Sequence, residues 1–137
     1  MTQNELNGLT HTIIGSSIVV HKELGPGLLE SIYEKCLSHL LKNKGLKVVA
    51  QQKIPLIFQG LQLDCDLRFD LLVEDEIIVE IKAVETMLPI FDAQLLTNLK
   101  LLDKAKGVLI IFNCVNIFKE GQKTLVTKKY GTLPKGY

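Results

Sequence analysis

Apolar residues recur at helical spacing through the first third of the chain. Residues 5–24 carry a modest stripe formed by Ile13, Ile14 and Ile18, which stops at the helix breaker Gly25-Pro26-Gly27. A wider stripe follows, and its members succeed one another at about one-turn intervals: Leu28, Leu29, Ile32, Tyr33, Cys36, Leu37, Leu40 and Leu41. The pattern predicts two helices, of which the second ends near Gly45.

Beyond the second helix the period of the apolar positions changes to two, which is typical of strands. Short strands are predicted at residues 47–53 and 56–58, with a turn at Gln59-Gly60. Residues 61–71 alternate sharply between apolar and charged side chains, so they predict one strand with a buried face and a charged face. Residues 77–84 are rich in β-branched side chains and predict a further strand.

The last third of the chain returns to a helical period and ends in weaker patterns. Residues 90–104 predict a helix with one apolar stripe, formed by Phe91, Leu95, Leu99 and Leu102. Residues 108–112 predict a short buried strand, residues 123–126 a weaker one, and residues 127–137 a loose tail. The order is helix, helix, three or four strands, helix, strand, which predicts a mixed α/β domain with a hairpin at its centre.

Composition narrows the class of protein. The chain has 137 residues, of which 47% are hydrophobic and 23% charged, so we expect a single globular domain over residues 1–137. The apolar runs are too short to span a membrane, and the N-terminus has no signal-peptide pattern. The three cysteines, Cys36, Cys65 and Cys114, are an odd number set among apolar residues. They predict a reducing compartment, and hence a cytoplasmic protein, rather than a disulfide framework.

The charges are unevenly distributed along the chain. The net charge of +1 argues against a protein that coats nucleic acid by charge alone. Residues 1–99 contain 8 Lys and Arg against 13 Asp and Glu, whereas residues 100–137 contain 8 Lys against 2 acids. Two interpretations stay open: a metal site beside a phosphate-contacting surface, or simply a solvated tail rich in lysine.

The central hairpin predicts a pair of opposed carboxylates. If Glu74-Asp75-Glu76 forms the loop, Asp70 lies opposite Glu80 and Arg68 lies opposite Lys82, all on one face of the sheet. A register slipped by one residue would place Asp70 on the apolar face, so burial disfavours it. Two carboxylates directly opposite each other repel, and a proton, neighbouring cations or a metal ion must offset the repulsion.

A divalent metal ion is the chemically informative alternative. Asp70 and Glu80 offer the hard oxygen ligands that Mg²⁺ and Mn²⁺ prefer, and Lys82 projects from the same face as Glu80. A metal-bound water is a nucleophile near neutral pH, and a lysine can stabilise the charge of the transition state. This is what phosphodiester hydrolysis requires. The alternative is a solvated sheet face with cross-strand ion pairs.

Several motifs also resemble those of a known family. Gly27-Leu28-Leu29-Glu30-Ser31-Ile32-Tyr33 matches the Gly-x-x-Glu-x-x-Tyr signature of a family of bacterial and archaeal proteins named for that motif. Other blocks resemble its remaining signatures: residues 63–65, 68–73, 79–85 and 93–97. The resemblance extends over about residues 13–118, and the family looks like a minimal member of the PD-(D/E)XK nuclease superfamily.

The resemblance implies a fold and a cofactor. The superfamily has a restriction-endonuclease-like α/β core of helix, three strands, helix and strand, and it uses magnesium to cut nucleic acid. For this chain it implies a central mixed sheet flanked by helices, with an extra N-terminal helix. Asp70 and Glu80 would be the ligands of Mg²⁺ or Mn²⁺, and Lys82 the catalytic lysine. Glu30 resembles the helical acid that many such nucleases direct at the metal or its water; otherwise it is a surface glutamate favoured by the helix dipole.

Four further residues are candidates for substrate binding. Gln94 resembles the glutamine of a Gln-x-x-x-Tyr motif, but Asn98 stands where the tyrosine would fall, one turn further along the helix. Arg68 either contacts phosphate or neutralises the carboxylates. Tyr33 belongs to the family signature and also to the apolar stripe, which favours packing with a hydrogen-bonded hydroxyl.

Together these observations predict metal-dependent hydrolysis of phosphodiester bonds in nucleic acid, DNA in preference to RNA. The alternative is a non-catalytic module that binds nucleic acid or a protein partner and retains the nuclease-like fold. A homodimer would enlarge the binding surface of so small a domain.

Overall fold

The computed structural model describes residues 1–137. The helices are α1 (Gln3–Leu24), α2 (Glu30–Asn43), α3 (Pro89–Leu101) and the short α4 (Lys128–Thr132), with a π-helical turn at Ile117–Gly121. The strands are β1 (Val48–Ala50), β2 (Leu56–Phe58), β3 (Leu61–Leu63), β4 (Leu71–Val73), β5 (Ile77–Lys82), β6 (Lys106–Ile111) and β7 (Gln122–Val126). None of the helices is long and apolar enough to cross a membrane.

Five strands form a mixed central sheet in the order β1-β4-β5-β6-β7. Strands β5 and β6 are parallel, with α3 as the connection between them, and the other neighbours are antiparallel. The sheet has helices on both faces, so the predicted α/β, restriction-endonuclease-like architecture is confirmed. The predicted hairpin register is also confirmed, because Leu71 pairs with Val79 and Val73 with Ile77.

The alternation of side chains along β4 and β5 divides the apolar residues into two clusters. Odd-numbered residues such as Leu71 and Val79 pack with α1 and α2 in the larger cluster. Even-numbered residues such as Leu72 and Ile78 pack with Leu95 and other residues of α3 in the smaller one. Because a strand sends successive side chains to opposite faces, the even-numbered face that meets α3 also carries the side chain of Glu80.

The predicted long strand over residues 61–71 is interrupted, and this prediction is wrong in its extent. Residues Leu61–Leu63 pair with β2 in a separate two-stranded sheet, because Gln59 and Gly60 adopt left-handed φ values of 46° and 84° that form a tight hairpin turn. The chain must then cross from that hairpin to the central sheet. Along the crossing Arg68 makes only an isolated bridge with Lys53, so Arg68 does not lie opposite Lys82 as expected.

The segment after Val126, expected to be a loose tail, is ordered against α1. It forms α4, and its carbonyl oxygens then accept hydrogen bonds from the start of α1: Gln3 N–H donates to Pro134 (2.8 Å) and Asn4 N–H to Lys135 (2.9 Å). The first N–H groups of a helix have no partner within the helix, so the tail supplies acceptors that would otherwise be water.

Candidate active site

Asp70 lies immediately before β4, at the open end of the central hairpin. Its Oδ2 accepts a hydrogen bond from the backbone N–H of Ile81 (2.7 Å), and its Oδ1 accepts one from Nε2 of Gln51 (3.1 Å). The backbone N–H of Gln51 also donates to the carbonyl of Asp70 (2.9 Å). These contacts hold the carboxylate at the edge of the sheet where β5 ends.

Glu80 is the buried member of the carboxylate pair. Its side chain is in the sheet face that meets α3, and its Oε1 accepts a hydrogen bond from Nδ2 of Asn98 (3.2 Å). Burial raises the pKa of Glu80 to about 8, and the charge of Asp70 and a hydrogen bond with it act in the same direction. Asn98 and Lys82 oppose this rise without cancelling it. Glu80 therefore keeps a proton at neutral pH, which is one of the expected ways to offset the repulsion.

Lys82 ends β5 on the same face but makes no ion pair with either carboxylate. Its Nζ lies 5.2 Å from the centre of the Phe91 ring, in the first turn of α3. An ammonium over an aromatic face is attracted by the ring quadrupole. The structure thus brings Lys82 to the site, and its charge acts on Glu80 from a distance.

A groove of about 720 Å³ opens beside Asp70, between α2 and the end of β5. Glu30 lies on its wall, and its Oε1 accepts a hydrogen bond from the backbone N–H of Ala83 (3.1 Å). The helical acid predicted from the motif therefore lines the same groove as the proposed metal ligand Asp70. Its carboxylate is thus hydrogen-bonded to the backbone just beyond Lys82.

The three residues of the Gly-x-x-Glu-x-x-Tyr motif have separate structural roles. Gly27 has a φ of 100°, a value that residues with a Cβ rarely adopt, in the turn before α2. Glu30 reaches the end of β5. Tyr33 is fully buried, stacks on Phe112 with ring centres 4.3 Å apart, and donates from its hydroxyl to the carbonyl of Gly25 (2.6 Å). The expectation that Tyr33 contacts substrate is therefore wrong in this structure, and the packing interpretation fits.

Two residues of the site were missed by the sequence analysis. Nε2 of Gln51 donates to Glu34 as well as to Asp70, so one amide joins α2 to the edge of the sheet that carries Asp70. Burial raises the pKa of Glu34, and the hydrogen bond from Gln51 opposes the rise. Glu34 follows Glu30 by one helical turn, and this polar i, i+4 spacing was the signal available. Nothing in the local sequence singles out Gln51.

The remaining candidates occupy three different environments. Arg68 donates from Nε to Asp66 (2.7 Å) in an exposed ion pair, so it does not neutralise the carboxylate pair. Asn98 is buried and contacts Glu80, which corrects the expectation that it contacts substrate. Gln94 is exposed on α3, where its side chain makes no hydrogen bond within the protein.

The donor set fits a hard divalent cation. The charge of Asp70 and a hydrogen bond with it help to raise the pKa of Glu80, so a cation held by the two groups could take the place of the proton on Glu80. No third His, Cys, Asp or Glu converges on the pair. Two carboxylates with water and phosphate oxygens completing the coordination is a common arrangement for Mg²⁺.

The fold and the paired carboxylates define a nuclease-like α/β protein. A family model described as the PD-(D/E)XK nuclease superfamily matches residues 7–125. The chain therefore belongs to the PD-(D/E)XK nuclease superfamily. No curated protein and no solved structure matches it.

Proposed function

We propose that this protein hydrolyses phosphodiester bonds of nucleic acid with Mg²⁺ or Mn²⁺ held by Asp70 and Glu80, and that DNA is its substrate. The observation that carries the proposal is the carboxylate pair itself: Glu80 is buried beside Asp70, and no cation of the protein pairs with either of them. A buried carboxyl group whose pKa is strongly raised beside a second carboxylate is typical of a functional site. We also assign the chain to the Gly-x-x-Glu-x-x-Tyr family on residues 27–33.

The proposal gives each residue a role. A bound cation would supply a water of lowered pKa and neutralise phosphate charge. Asn98 orients Glu80 through its amide, and Gln51 orients Asp70. Glu30 lines the groove in which the substrate phosphate would lie, where its carboxylate can position a water.

Lys82 stabilises the negative charge that develops on the phosphate. Its ammonium lies over the ring of Phe91, so it must shift toward the carboxylates to act. A lysine side chain has a flexible stem of four carbons, so its ammonium can make such a movement while the carbons near the backbone stay packed. Phosphate in the groove supplies the attraction that draws it there.

Calorimetric titration with Mn²⁺ and Mg²⁺ tests the metal site without a guess at the substrate. We expect saturable binding by the natural protein and none by the double variant Asp70→Asn/Glu80→Gln. Cleavage of labelled oligonucleotides should then require the metal and vanish in the same variant. If the double variant binds metal as well as the natural protein does, the assignment of the ligands is wrong.

A non-catalytic binding module is the second candidate, and the position of Lys82 favours it. A lysine held over Phe91 beside a protonated Glu80 is also what a retained but inactive site would contain. The two candidates differ in one measurement, since only an enzyme cleaves oligonucleotides that it binds. Binding of nucleic acid without cleavage, with Mn²⁺ and Mg²⁺ both tried, would select the module.

A further inference from the structure

The groove beside Asp70 is acidic, because Glu30, Glu34 and Asp70 line it, and we call it the acidic groove. It adjoins a second groove that has basic residues on its walls. The second groove has a volume of about 320 Å³ and lies between α2 and β1, which is an edge strand of the central sheet. Glu34 lines both grooves, so the two adjoin at that residue. Lys35, His39 and Lys42 line the second groove together with Ser38 and Ala50.

The three basic residues form one strip along α2. They follow at i, i+4 and i+7, so they share a face of the helix, and all three are exposed. Neither Lys35 nor Lys42 pairs with an acid, whereas four other lysines each pair with an aspartate: Lys53, Lys104, Lys123 and Lys129. Lys35 and Lys42 are about 10 Å apart along the helix axis, which is about three base-pair steps of a nucleic-acid strand.

The lysine-rich segment of residues 100–137 is placed differently. Three of its lysines pair with aspartates: Lys104 with Asp75, Lys123 with Asp92, and Lys129 with Asp103. A fourth, Lys106, is buried. Lys100 and Lys128 line a groove near the start of β6, at the opposite end of the parallel strands from Asp70 and Glu80.

We propose that the α2 strip (Lys35, His39 and Lys42) binds the backbone phosphates of nucleic acid that extends from the acidic groove. The identity of the ligand rests on the proposed function. Acidic walls repel phosphates except at the bound metal, so a substrate strand needs positive charge where it leaves the site. Lys35 and Lys42 supply unpaired positive charge beside that groove, whereas Lys100 and Lys128 lie at the opposite end of the parallel strands.

The test compares two pairs of lysines that carry equal charge. Binding of a labelled DNA oligonucleotide to the full chain is measured against salt concentration in the presence of a chelator, for Lys35→Gln/Lys42→Gln and for Lys100→Gln/Lys128→Gln. Each lost phosphate contact reduces the slope of log K against log salt by about 0.7 for single strands or 0.9 for duplexes. We expect the α2 double variant to lose about 1.4–1.8 from the slope, and the other double variant to retain it.

A conservative variant and the fold provide the controls. Lys35→Arg/Lys42→Arg should keep the slope of the natural protein, and circular dichroism should show the same fold and melting temperature for every variant. Equal losses in the two glutamine variants would overturn the proposal in favour of net charge alone. An unchanged slope in the α2 variant, or no binding of DNA by the natural protein, would overturn it as well.

Failure of this proposal and failure of the proposed function are distinguishable. The binding measurement uses no metal and no cleavage, so its result does not depend on whether Asp70 and Glu80 hold a metal ion. If the slope changes as expected but metal titration finds no site, the α2 strip stands as the surface of a binding module. If metal binds and the slope is unchanged, the catalytic site stands and the substrate leaves it by another path.

Discussion

The two ends of the central sheet differ in whether their charged side chains have partners within the chain. At the start of β5 and β6, Lys104 pairs with Asp75 (3.2 Å), and the buried Lys106 donates to Asn7 (2.6 Å) with its ammonium 5.5 Å from the ring of Tyr130. Burial lowers the pKa of Lys106, but its charge has an acceptor and an aromatic face. The charges of Lys104 and Lys106 are therefore satisfied within the chain.

At the other end, where β5 finishes, the carboxylates have no cationic partner. Asp70 is held by an amide and a backbone N–H, and Glu80 by an amide, while the ammonium of Lys82 lies over Phe91. Charges that are balanced locally serve the fold. Carboxyl groups that are brought together without a cation must repel each other or take up a proton, as Glu80 does, so they indicate a site that a ligand completes. The difference between the two ends therefore locates the function.

The largest expected effect is on catalysis. Glu80→Gln and Asp70→Asn each remove one ligand charge while preserving shape, so we expect cleavage in Mg²⁺ or Mn²⁺ to fall by roughly 10²-fold or more. The control is Lys104→Gln at the balanced end of the sheet, which should leave the rate unchanged. Gel assays of labelled oligonucleotides measure both. If the cleavage rate is unchanged by either Glu80→Gln or Asp70→Asn, the difference between the two ends of the sheet does not locate the function.

The next largest effect is on the free energy of unfolding, which should fall as the pH rises. Because burial raises the pKa of Glu80 to about 8, the folded protein keeps a proton that the unfolded chain releases above its ordinary value of 4.5. Stability from this group is therefore lost as pH rises from about 4.5 to about 8, and no more is lost above that. Glu80→Gln cannot ionise, so it should be more stable than the natural protein by about 1–3 kcal/mol at pH 8.

Urea denaturation at pH 5 and pH 8 measures this effect. The stability difference between Glu80→Gln and the natural protein should grow between the two values. Asp75→Asn removes an exposed carboxylate at the balanced end, and its difference should stay small at both. A Glu80→Gln variant that loses stability at pH 8 would show that the carboxylate is compensated after all.

The carboxylate pair was predictable from sequence, because two local rules determine it. A loop at Glu74-Asp75-Glu76 sets the register of the hairpin, and the period of two then puts Asp70 and Glu80 on the same face. Both faces of β4 and β5 are buried, so burial of one apolar face does not by itself select this register. The buried position of Asn98 was also predictable, since Asn98 is a polar residue at the spacing of the stripe that contains Leu95.

Other parts of the site depend on the path of the chain and on side-chain packing. Gln51 and Asp70 are 19 residues apart, and they meet because the chain makes the separate β2–β3 hairpin between them. No local period encodes that route. The position of Lys82 over Phe91 is a choice among rotamers of a long side chain, and sequence spacing specifies only the face from which it projects.

A smaller effect is expected where the site is held in place. Gln51 adopts a left-handed φ of 54°, so Gln51→Gly removes the bridging amide without adding backbone strain. Loss of a group that orients a metal ligand costs about 10-fold or more in metal affinity. Gln59→Gly is the matched control, because Gln59 also has a left-handed φ, of 46°, in the distant β2–β3 turn. Calorimetry should find weaker Mn²⁺ binding only in Gln51→Gly, and equal affinities in the two variants would deny Gln51 this role.

The smallest effect concerns Lys82, whose ammonium can lie over the Phe91 ring or move toward the carboxylates. The attraction of Lys82 to the Phe91 ring is worth about 0.5–1 kcal/mol, and Phe91→Leu removes it while keeping an apolar side chain. If the ring holds the ammonium away from the phosphate, cleavage at saturating metal should become about 2–5-fold faster. Phe58→Leu on the exposed β2 strand should change nothing, and adding Lys82→Ala to Phe91→Leu should abolish the gain. A slower Phe91→Leu enzyme would mean that the ring holds Lys82 in its working position, so that the unpaired charges at this end are already arranged for the reaction.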